Sequence, residues 1–186
     1  MAIVINGSGT LSGLAVGGLP DGTVDSGTLA TDSVTAAKLE VSAITGADLP
    51  AGSVLQVVNM LTESLFSTTA TSMQDTPLTL AITPSSTSSK ILIVVNILGC
   101  TAPFTASGLT FTLQRGNTSI VTDMTNFLYG ESSAMNANYT IIKYDSPSST
   151  SAVTYMLQAR NREGNTVKFN AHETEPSTMT LMEIAG

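Results

Sequence analysis

Large aliphatic residues recur at every fifth position in the N-terminal third of the chain. This series, called here the pentad stripe, consists of Leu14, Leu19, Val24, Leu29, Val34, Leu39, Ile44, Leu49 and Val54. From Leu19 onward leucine alternates with a β-branched residue, so the true unit is ten residues long, as in "SVTAAKLEVS" and "AITGADLPAG". Tandem repetition at a fixed period is the signature of a repeat architecture, and it has to be interpreted before any secondary structure is assigned.

A five-residue period fits neither regular secondary structure. In a strand, successive stripe residues would point to opposite faces, and in an α-helix each would be rotated by about 140° from the last. Short extended pieces separated by tight turns would instead bring every aliphatic side chain to one side. Small residues that suit such turns stand two places before most stripe positions, at Gly17, Gly22, Gly27, Ala37, Ala47 and Gly52.

A single chain with this pattern would bury too little apolar surface to stay ordered. Each buried aliphatic contributes about 1.5–3 kcal/mol, whereas fixing the backbone costs about 1–2 kcal/mol per residue. Three chains around a shared axis could pool their stripes, which predicts a homotrimeric, extended shaft with an N-terminal attachment segment in residues 1–53.

Two other interpretations of the repeat were considered. A disordered Thr/Ser/Ala linker is disfavoured by the unbroken register of the stripe. A single-chain solenoid of pentapeptide repeats, to which "TAAKL" and "TGADL" are similar, would have little more than two coils. It would also place Asp32 and Ser42 where small apolar residues belong.

From Val54 the hydrophobic period changes to two, which predicts half-buried strands over residues 54–186. The alternating segments are "PLTLAI", "GLTFTLQRG", "AVTYMLQAR", "TVKFN" and "TMTLMEI", the last slipping phase after Leu181, and "VLQVVNML" and "NYTIIKYD" bring the total to about eight strands. The continuously apolar "KILIVVNIL" predicts a central strand covered on both faces. Turn signals separate the strands at residues 83–86, 115–117, 146–149 and 163–165. The predicted fold class is therefore all-β, a shaft followed by a jelly-roll-like β-sandwich.

Composition excludes several functional classes. Charged residues make up 11% of the chain, the net charge is −7, and the basic residues are scattered, so nucleic-acid binding is not expected. The one cysteine, Cys100, follows an apolar run and is predicted to be buried and unreactive. The N-terminus lacks the features of a secretion signal, and no apolar run is long enough to span a bilayer. These features predict a protein that is assembled in a cytoplasm without membrane insertion.

The sequence offers little support for catalysis, a cofactor or a metal. The one histidine, His172, stands near Glu173 and Glu175, which is a weak ligand set and is more typical of a surface turn. Four aspartates of the repeat region occupy different places in the unit and are read as solvated turn residues: Asp21, Asp25, Asp32 and Asp48. The alternative is Ca²⁺ held by symmetry-related aspartates on a trimer axis. No phosphate loop, nucleophile elbow or Cys-X-X-Cys motif occurs, so the chain is predicted not to be an enzyme.

Recognition of a partner is the better-supported interpretation. The segment "DMTNFLYGESSAMNAN", residues 123–138, is non-periodic and is predicted to be a long loop, the usual place for binding residues on a β-scaffold. The candidate receptor-contact residues are Phe127, Tyr129 and Met135, with Phe104 of "TAPFTAS" as a second candidate. The alternative is that these side chains pack the loop onto the sandwich or a neighbouring subunit.

The repeat "DSVTAAKLEV" and "SAITGADLPA" resembles the decapeptide repeats of bacteriophage tail fibres, especially those of marine and cyanobacterial phages. The later segments "LAITPSSTSSKILI", "YDSPSSTSAVTYMLQARN" and "STMTLMEIAG" resemble a terminal domain of fibre-like proteins from such phages. The resemblance implies a homotrimeric virion appendage whose N-terminus attaches to other virion proteins. It leaves open whether the chain is a short tail fibre that contacts a host receptor or glycan, or a head fibre or capsid decoration. A sugar-cleaving tailspike is disfavoured because no carboxylate pair stands out.

Overall fold

The chain divides into two units, Met1–Thr45 and Gly46–Gly186. The computed structural model describes residues 4–5, 11–12, 29, 31–35, 39, 44–102, 107–130, 135–171 and 176–186. In the first unit, strands β1 (Val4–Ile5) and β2 (Leu11–Ser12) pair antiparallel. The boundary predicted from the sequence, between residues 53 and 54, coincides instead with the start of the first strand of the second unit.

The described part of the second unit begins with a 3₁₀ turn at Gly46–Asp48 and then contains ten strands. The strands are β3 (Val54–Thr62), β4 (Phe66–Thr68), β5 (Gln74–Ile82), β6 (Lys90–Ala102), β7 (Ser107–Arg115), β8 (Thr118–Gly130), β9 (Met135–Asp145), β10 (Val153–Asn161), β11 (Val167–Phe169) and β12 (Ser177–Ile184). Each of the eight segments predicted as strands lies in one of them, whereas β4 and β8 were not predicted.

The strands form two antiparallel sheets with jelly-roll topology. One sheet has the order β5-β10-β7-β8. In the other, β12 lies between β3 and β6, and β9 pairs with the opposite edge of β6. β11 pairs with β6 near Thr101 and has β4 on its other side. The pairs β3–β12, β5–β10, β6–β9 and β7–β8 are nested in chain order, which is the arrangement that defines a jelly roll. The predicted all-β, jelly-roll class is confirmed.

The inward residues of both sheets form one hydrophobic core. The predicted alternation holds in β10, where Tyr155 and Leu157 are fully buried between less buried neighbours. In β7, Leu109, Phe111 and Leu113 are buried as predicted, but Thr110 and Thr112 are buried as well. Three aromatic rings lie together in this core, with the Phe169 ring centroid 5.0 Å from that of Phe66 and 6.5 Å from that of Phe111. The other buried apolar residues are Leu78, Ile82, Ile91, Ile93, Val95, Ile97, Cys100, Ala102, Ile141, Ala159, Val167, Met179 and Leu181.

Irregularities in the strands occur where the sequence requires them. The register of β6 against β9 shifts between Ile97 and Cys100, and Gly99 in this bulge has φ 59°, a left-handed value that glycine adopts without strain. Pro77 lies in the register shift of β5, an edge strand, where its missing N–H costs no ladder bond. All four predicted turns fall between strands, and the tight one at Gly116-Asn117 joins β7 to β8.

Two predictions about the strands are wrong. Within one chain β6 is covered on one face only, because Ile91, Ile93 and Val95 are buried whereas Leu92 and Val94 are half-exposed. The burial of β12 also does not slip phase after Leu181, because Glu183 keeps the inward position as a buried, hydrogen-bonded carboxylate.

Candidate assembly surface

The outer face of the six-stranded sheet carries a patch of apolar side chains. The strand register places direct cross-strand neighbours in three rows, Val57–Met182–Leu92–Tyr144, Asn59–Thr180–Val94–Ile142 and Leu61–Thr178–Asn96–Thr140. These twelve residues, called here the outer face, alternate along their strands with the buried core residues, so their side chains point away from the core. Val57, Leu61, Ile142 and Tyr144 are 54%, 57%, 68% and 53% exposed.

Polar side chains of the outer face are hydrogen-bonded to one another. Asn59 Nδ2 donates to Thr180 Oγ1 at 2.8 Å. Thr140 Oγ1 donates to Asn96 Oδ1 at 2.8 Å, and Asn96 Nδ2 lies 3.4 Å from Thr178 Oγ1. A buried polar group is costly mainly when it loses its partner, and these groups have partners within the chain. Covering this face therefore costs less desolvation free energy than its number of polar side chains would suggest.

Formal charge is confined to the end of this surface. Beyond the row that contains Val57, Ile184 pairs with Lys90 on one side and with Val54 on the other. Lys90 reaches toward the turn after β9, where its Nζ donates to Ser146 Oγ at 3.0 Å. The outer face is thus a neutral surface on a chain of net charge −7.

The described residues of the pentad stripe are all exposed in the single chain. Leu29, Val34, Leu39, Ile44, Leu49 and Val54 have exposed fractions of 45%, 52%, 44%, 58%, 40% and 52%. Val54 belongs to both features, since it ends the stripe, begins β3 and pairs with Ile184 at the edge of the outer face. Leu14, Leu19 and Val24 lie outside the described residues. The trimeric packing of the stripe stays a prediction.

The predicted recognition loop consists of strands over most of its length. Phe127 and Tyr129 lie in β8, with Tyr129 paired to Gly108 of β7, and Met135 begins β9, where it pairs with Ala102. Residues 123–138 are therefore mainly two strands, joined through residues 131–134, which are outside the described part. Phe104 is also outside it. Contact of these residues with a receptor stays a prediction.

The other candidate ligand residues do not come together in the part of the chain that the structure describes. Asp32 is exposed with φ 59°, and Asp48 is exposed in the 3₁₀ turn. His172, Glu173, Glu175, Asp21 and Asp25 lie outside the described residues. Among those described, no group of three or more His, Cys, Asp or Glu side chains is placed to hold a metal ion.

Glu183 is a buried carboxylate that the sequence analysis missed. Its Oε1 accepts hydrogen bonds from Ser85 N, Ser85 Oγ and Ser89 Oγ, each at 2.7 Å, and its Oε2 accepts from Gln56 Nε2 at 2.6 Å. Burial raises the pKa of Glu183, but the hydrogen bonds from Ser89, Gln56 and Ser85 outweigh it and hold that pKa below its ordinary value. The carboxylate therefore joins the start of β3 and the β5–β6 connection to the last strand.

A second polar cluster links the two sheets. Asp145 at the end of β9 lies 3.0 and 2.9 Å, through its two carboxylate oxygens, from Arg115 Nη1 of β7. Tyr155 of β10 donates its hydroxyl to Asp145 Oδ2 at 2.7 Å. Burial is the main cause that raises the pKa of Tyr155, and the hydrogen bond to Asp145 and its charge raise it further. The lone thiol, Cys100, is buried as predicted, and burial raises its pKa to about 12.

A signal for the outer face was present in the sequence. "VLQVVNML" and "NYTIIKYD" carry apolar residues at both odd and even positions, like "KILIVVNIL", although only the last was read as apolar on both faces. A strand with one solvated face needs apolar residues at only one parity. Val57, Leu61, Ile142 and Tyr144 are the residues that this excess marks.

The fold defines the class of the second unit as an all-β jelly-roll domain. No helix in the described residues has the length and apolar character needed to cross a membrane. No protein-family model and no curated protein matches the chain.

Among solved structures, the chain is similar to VP2 in the subviral particle of infectious bursal disease virus, with 12% identity and a TM-score of 0.35. That similarity covers 70% of this chain and 33% of the VP2 chain, so this chain spans about a third of the length of VP2. A likeness of this degree carries no argument about function.

Proposed function

We propose that the chain is a structural protein of a virus particle, a short homotrimeric tail fibre or fibre-like appendage of a phage that serves in host attachment. The observation that carries the proposal is the exposure of every described stripe residue from Leu29 to Val54. Six large aliphatic side chains stand in strict register, and each is at least 40% exposed. A monomer would leave this apolar surface in contact with water, which is typical of an interaction site.

The energetics favour assembly of the stripe. Completing the burial of a half-exposed Leu or Val gains about 1 kcal/mol, since full burial is worth about 1.5–3 kcal/mol. In a homotrimer each stripe position contributes three such side chains to one axis. The gain therefore repeats at every fifth residue along the shaft and offsets the cost of ordering the polar residues between them.

The resemblance of the repeat to the decapeptide repeats of phage fibres supports a place on the virion. In the proposed arrangement the N-terminal segment binds other virion proteins, and the jelly-roll domain stands at the far end of the shaft. The chain would be assembled in the host cytoplasm, act without catalysis or a cofactor, and neither enter a membrane nor bind nucleic acid.

Host contact is assigned to residues 123–138, whose strands β8 and β9 belong to different sheets. The aromatic residues Phe127 and Tyr129 lie within the last four residues of β8. If the assignment is right, Tyr129→Ala should reduce adsorption to host cells while the melting temperature changes little. A lower melting temperature with unchanged adsorption of the remaining folded protein would assign Tyr129 to packing instead.

The proposal is tested first by the mass of the purified chain in light scattering at micromolar concentration. A mass of three chains is expected, and a monomer would contradict the shaft. Labelled antibodies on intact virions then locate the protein. Label on the tail would agree with a role in attachment, whereas label on the head would reassign the chain to a head fibre or capsid decoration.

A further inference from the structure

We infer that the outer face of the six-stranded sheet is an interface between jelly-roll domains, and that its partner is a second copy of this chain. The inference rests on the proposed homotrimer and adds a second contact surface to it. The shaft would hold the N-terminal segments together, and the outer face would hold the jelly rolls together.

The first argument is that the outer face can lose its contact with water at low cost in free energy. Its most exposed residues are apolar, with Ile142 at 68% and Leu61 at 57%. Four of its polar side chains already bond to one another, in the pairs Asn59–Thr180 and Thr140–Asn96. A partner can therefore cover the face without leaving these polar groups unsatisfied and without supplying partners for them.

The second argument concerns charge and identifies the kind of partner. A basic protein would be recognised by acidic side chains, and the three rows of the outer face contain none. Copies of one chain with net charge −7 repel each other generally, and they approach at least cost through a neutral surface. The outer face has the composition expected where identical acidic chains meet.

The third argument is continuity with the stripe. Val54 is the last stripe residue, lies in β3 and pairs with Ile184, while Val57 follows on the same strand in the first row of the outer face. If stripe residues contact other copies of the chain, the contact passes along β3 directly onto the outer face.

The area of the outer face is consistent with an interface that acts together with the pentad stripe. Four strands about 4.8 Å apart and about seven residues long cover roughly 450 Å², whereas a stable interface takes roughly 800 Å² from each partner. The outer face is too small to hold a complex alone and large enough to add to the stripe. The two surfaces together are expected to stabilise one assembly.

The experiment measures accessibility in the full chain by thiol labelling. Ile142→Cys introduces a thiol on the outer face, and Thr154→Cys introduces one at an exposed position of β10 in the opposite sheet, while buried Cys100 supplies the background. In the native oligomer a maleimide should label Ile142→Cys at least about tenfold more slowly than Thr154→Cys, because a covered thiol is not accessible. Both variants should label equally in denaturant.

Substitutions that introduce a negative charge give an independent test of the interface. Ile142→Asp should lower the mass in light scattering or weaken the oligomer on dilution, whereas Thr154→Asp should not. Circular dichroism of both variants should match that of the unchanged protein, because both side chains are exposed in the single chain.

The outcomes separate the inference from the proposed function. An intact trimer in which Ile142→Cys labels as fast as Thr154→Cys would overturn the interface and leave the shaft standing. Protection only after another virion protein is added would also overturn it, since the occupant would not be a second copy. A monomeric native protein would overturn both.

Discussion

Ser89 donates a hydrogen bond of 2.7 Å from Oγ to Oε1 of Glu183, and both residues are only 1% exposed. The bond joins the residue before β6 to the penultimate residue of β12. With Ser85 and Gln56, it supplies a buried carboxylate with enough donors to remain ionised. A charge at this position makes the stability of the jelly roll depend on pH.

The first prediction is that acid destabilises the domain partly through Glu183. The folded-state pKa of Glu183 is lowered, so its contribution is present above the unfolded-state pKa of about 4.3 and is lost as pH falls through the folded value. Glu183→Gln should lower the free energy of unfolding by about 1–3 kcal/mol at pH 7, because it removes hydrogen bonds to a charged group. The difference from the unchanged protein should shrink toward pH 3 in urea titrations. Glu63→Gln, at an exposed position, is the control and should leave the free energy of unfolding unchanged at both pH 7 and pH 3.

The second prediction concerns Asn170, which has φ 51° and is 4% exposed. Its Nδ2 donates to Thr62 O and Ser64 O, at 2.9 and 3.0 Å, and its Oδ1 accepts from Ser177 Oγ at 2.5 Å. Asn170→Ala removes these bonds and keeps a β-carbon in a left-handed conformation, without the side-chain hydrogen bonds that hold asparagine there. We expect Asn170→Ala to cost about 1–2 kcal/mol more than Asn170→Gly, since glycine escapes the left-handed penalty but loses the same bonds. Equal midpoints in urea for the two variants would show that the backbone relaxes at this position.

The alternating strands could be predicted from the sequence because their burial depends on local pattern. In "AVTYMLQAR", Tyr155, Leu157 and Ala159 are buried as predicted, and in "GLTFTLQRG", Leu109, Phe111 and Leu113 are buried together with Thr110 and Thr112 between them. β8 was missed because its sequence "TSIVTDMTNFLYG" does not alternate apolar and polar residues, and its pairing with β7 shifts register at three places. β4 spans only Phe66–Thr68, which is too short to show any period.

The polar clusters could not be predicted, because their partners lie far apart along the chain. Glu183 is 98 residues from Ser85 and 94 from Ser89, so a local pattern reads its carboxylate as a break in phase. The outer face could have been predicted in part, since β3 and β9 carry apolar residues at both parities. The partner that covers the outer face could not be predicted, because the alternation of residues within one strand contains no information about a second molecule.

The third prediction concerns the hydroxyl of Tyr155, which donates to Asp145 Oδ2 at 2.7 Å. Tyr155→Phe should lower the free energy of unfolding by about 1.5–3 kcal/mol at pH 7, because it deletes one hydrogen bond to a charged carboxylate and keeps the buried ring. The folded-state pKa of Tyr155 is raised, so its contribution is complete below the unfolded value of about 10 and is lost as pH rises above it. The unchanged protein should therefore lose stability above pH 10 more steeply than the variant. Tyr144→Phe, at a tyrosine that is 53% exposed, is the control for the general effect of tyrosine ionisation.

The last prediction tests whether the pentad stripe marks a buried axis. Leu39 is 44% exposed in the single chain, and in a trimer its three copies would face one another. Leu39→Asp would then place three like charges close together in a site without water, where even one unpaired carboxylate is strongly unfavourable. The shaft should open locally and become sensitive to protease between about residues 20 and 54, while the jelly roll remains intact.

Thr35→Asp is the matched control, because Thr35 is exposed, lies four positions earlier and is not part of the stripe. Its carboxylate should stay in water and leave the protease resistance of the shaft unchanged. Limited proteolysis of the two variants side by side, followed by mass spectrometry of the fragments, compares the two positions directly. If both resist equally, the side chain of Leu39 is not covered in the assembled protein. The five-residue period would then have to be explained without a shared axis, and the exposed stripe from Leu29 to Val54 would no longer support a trimer.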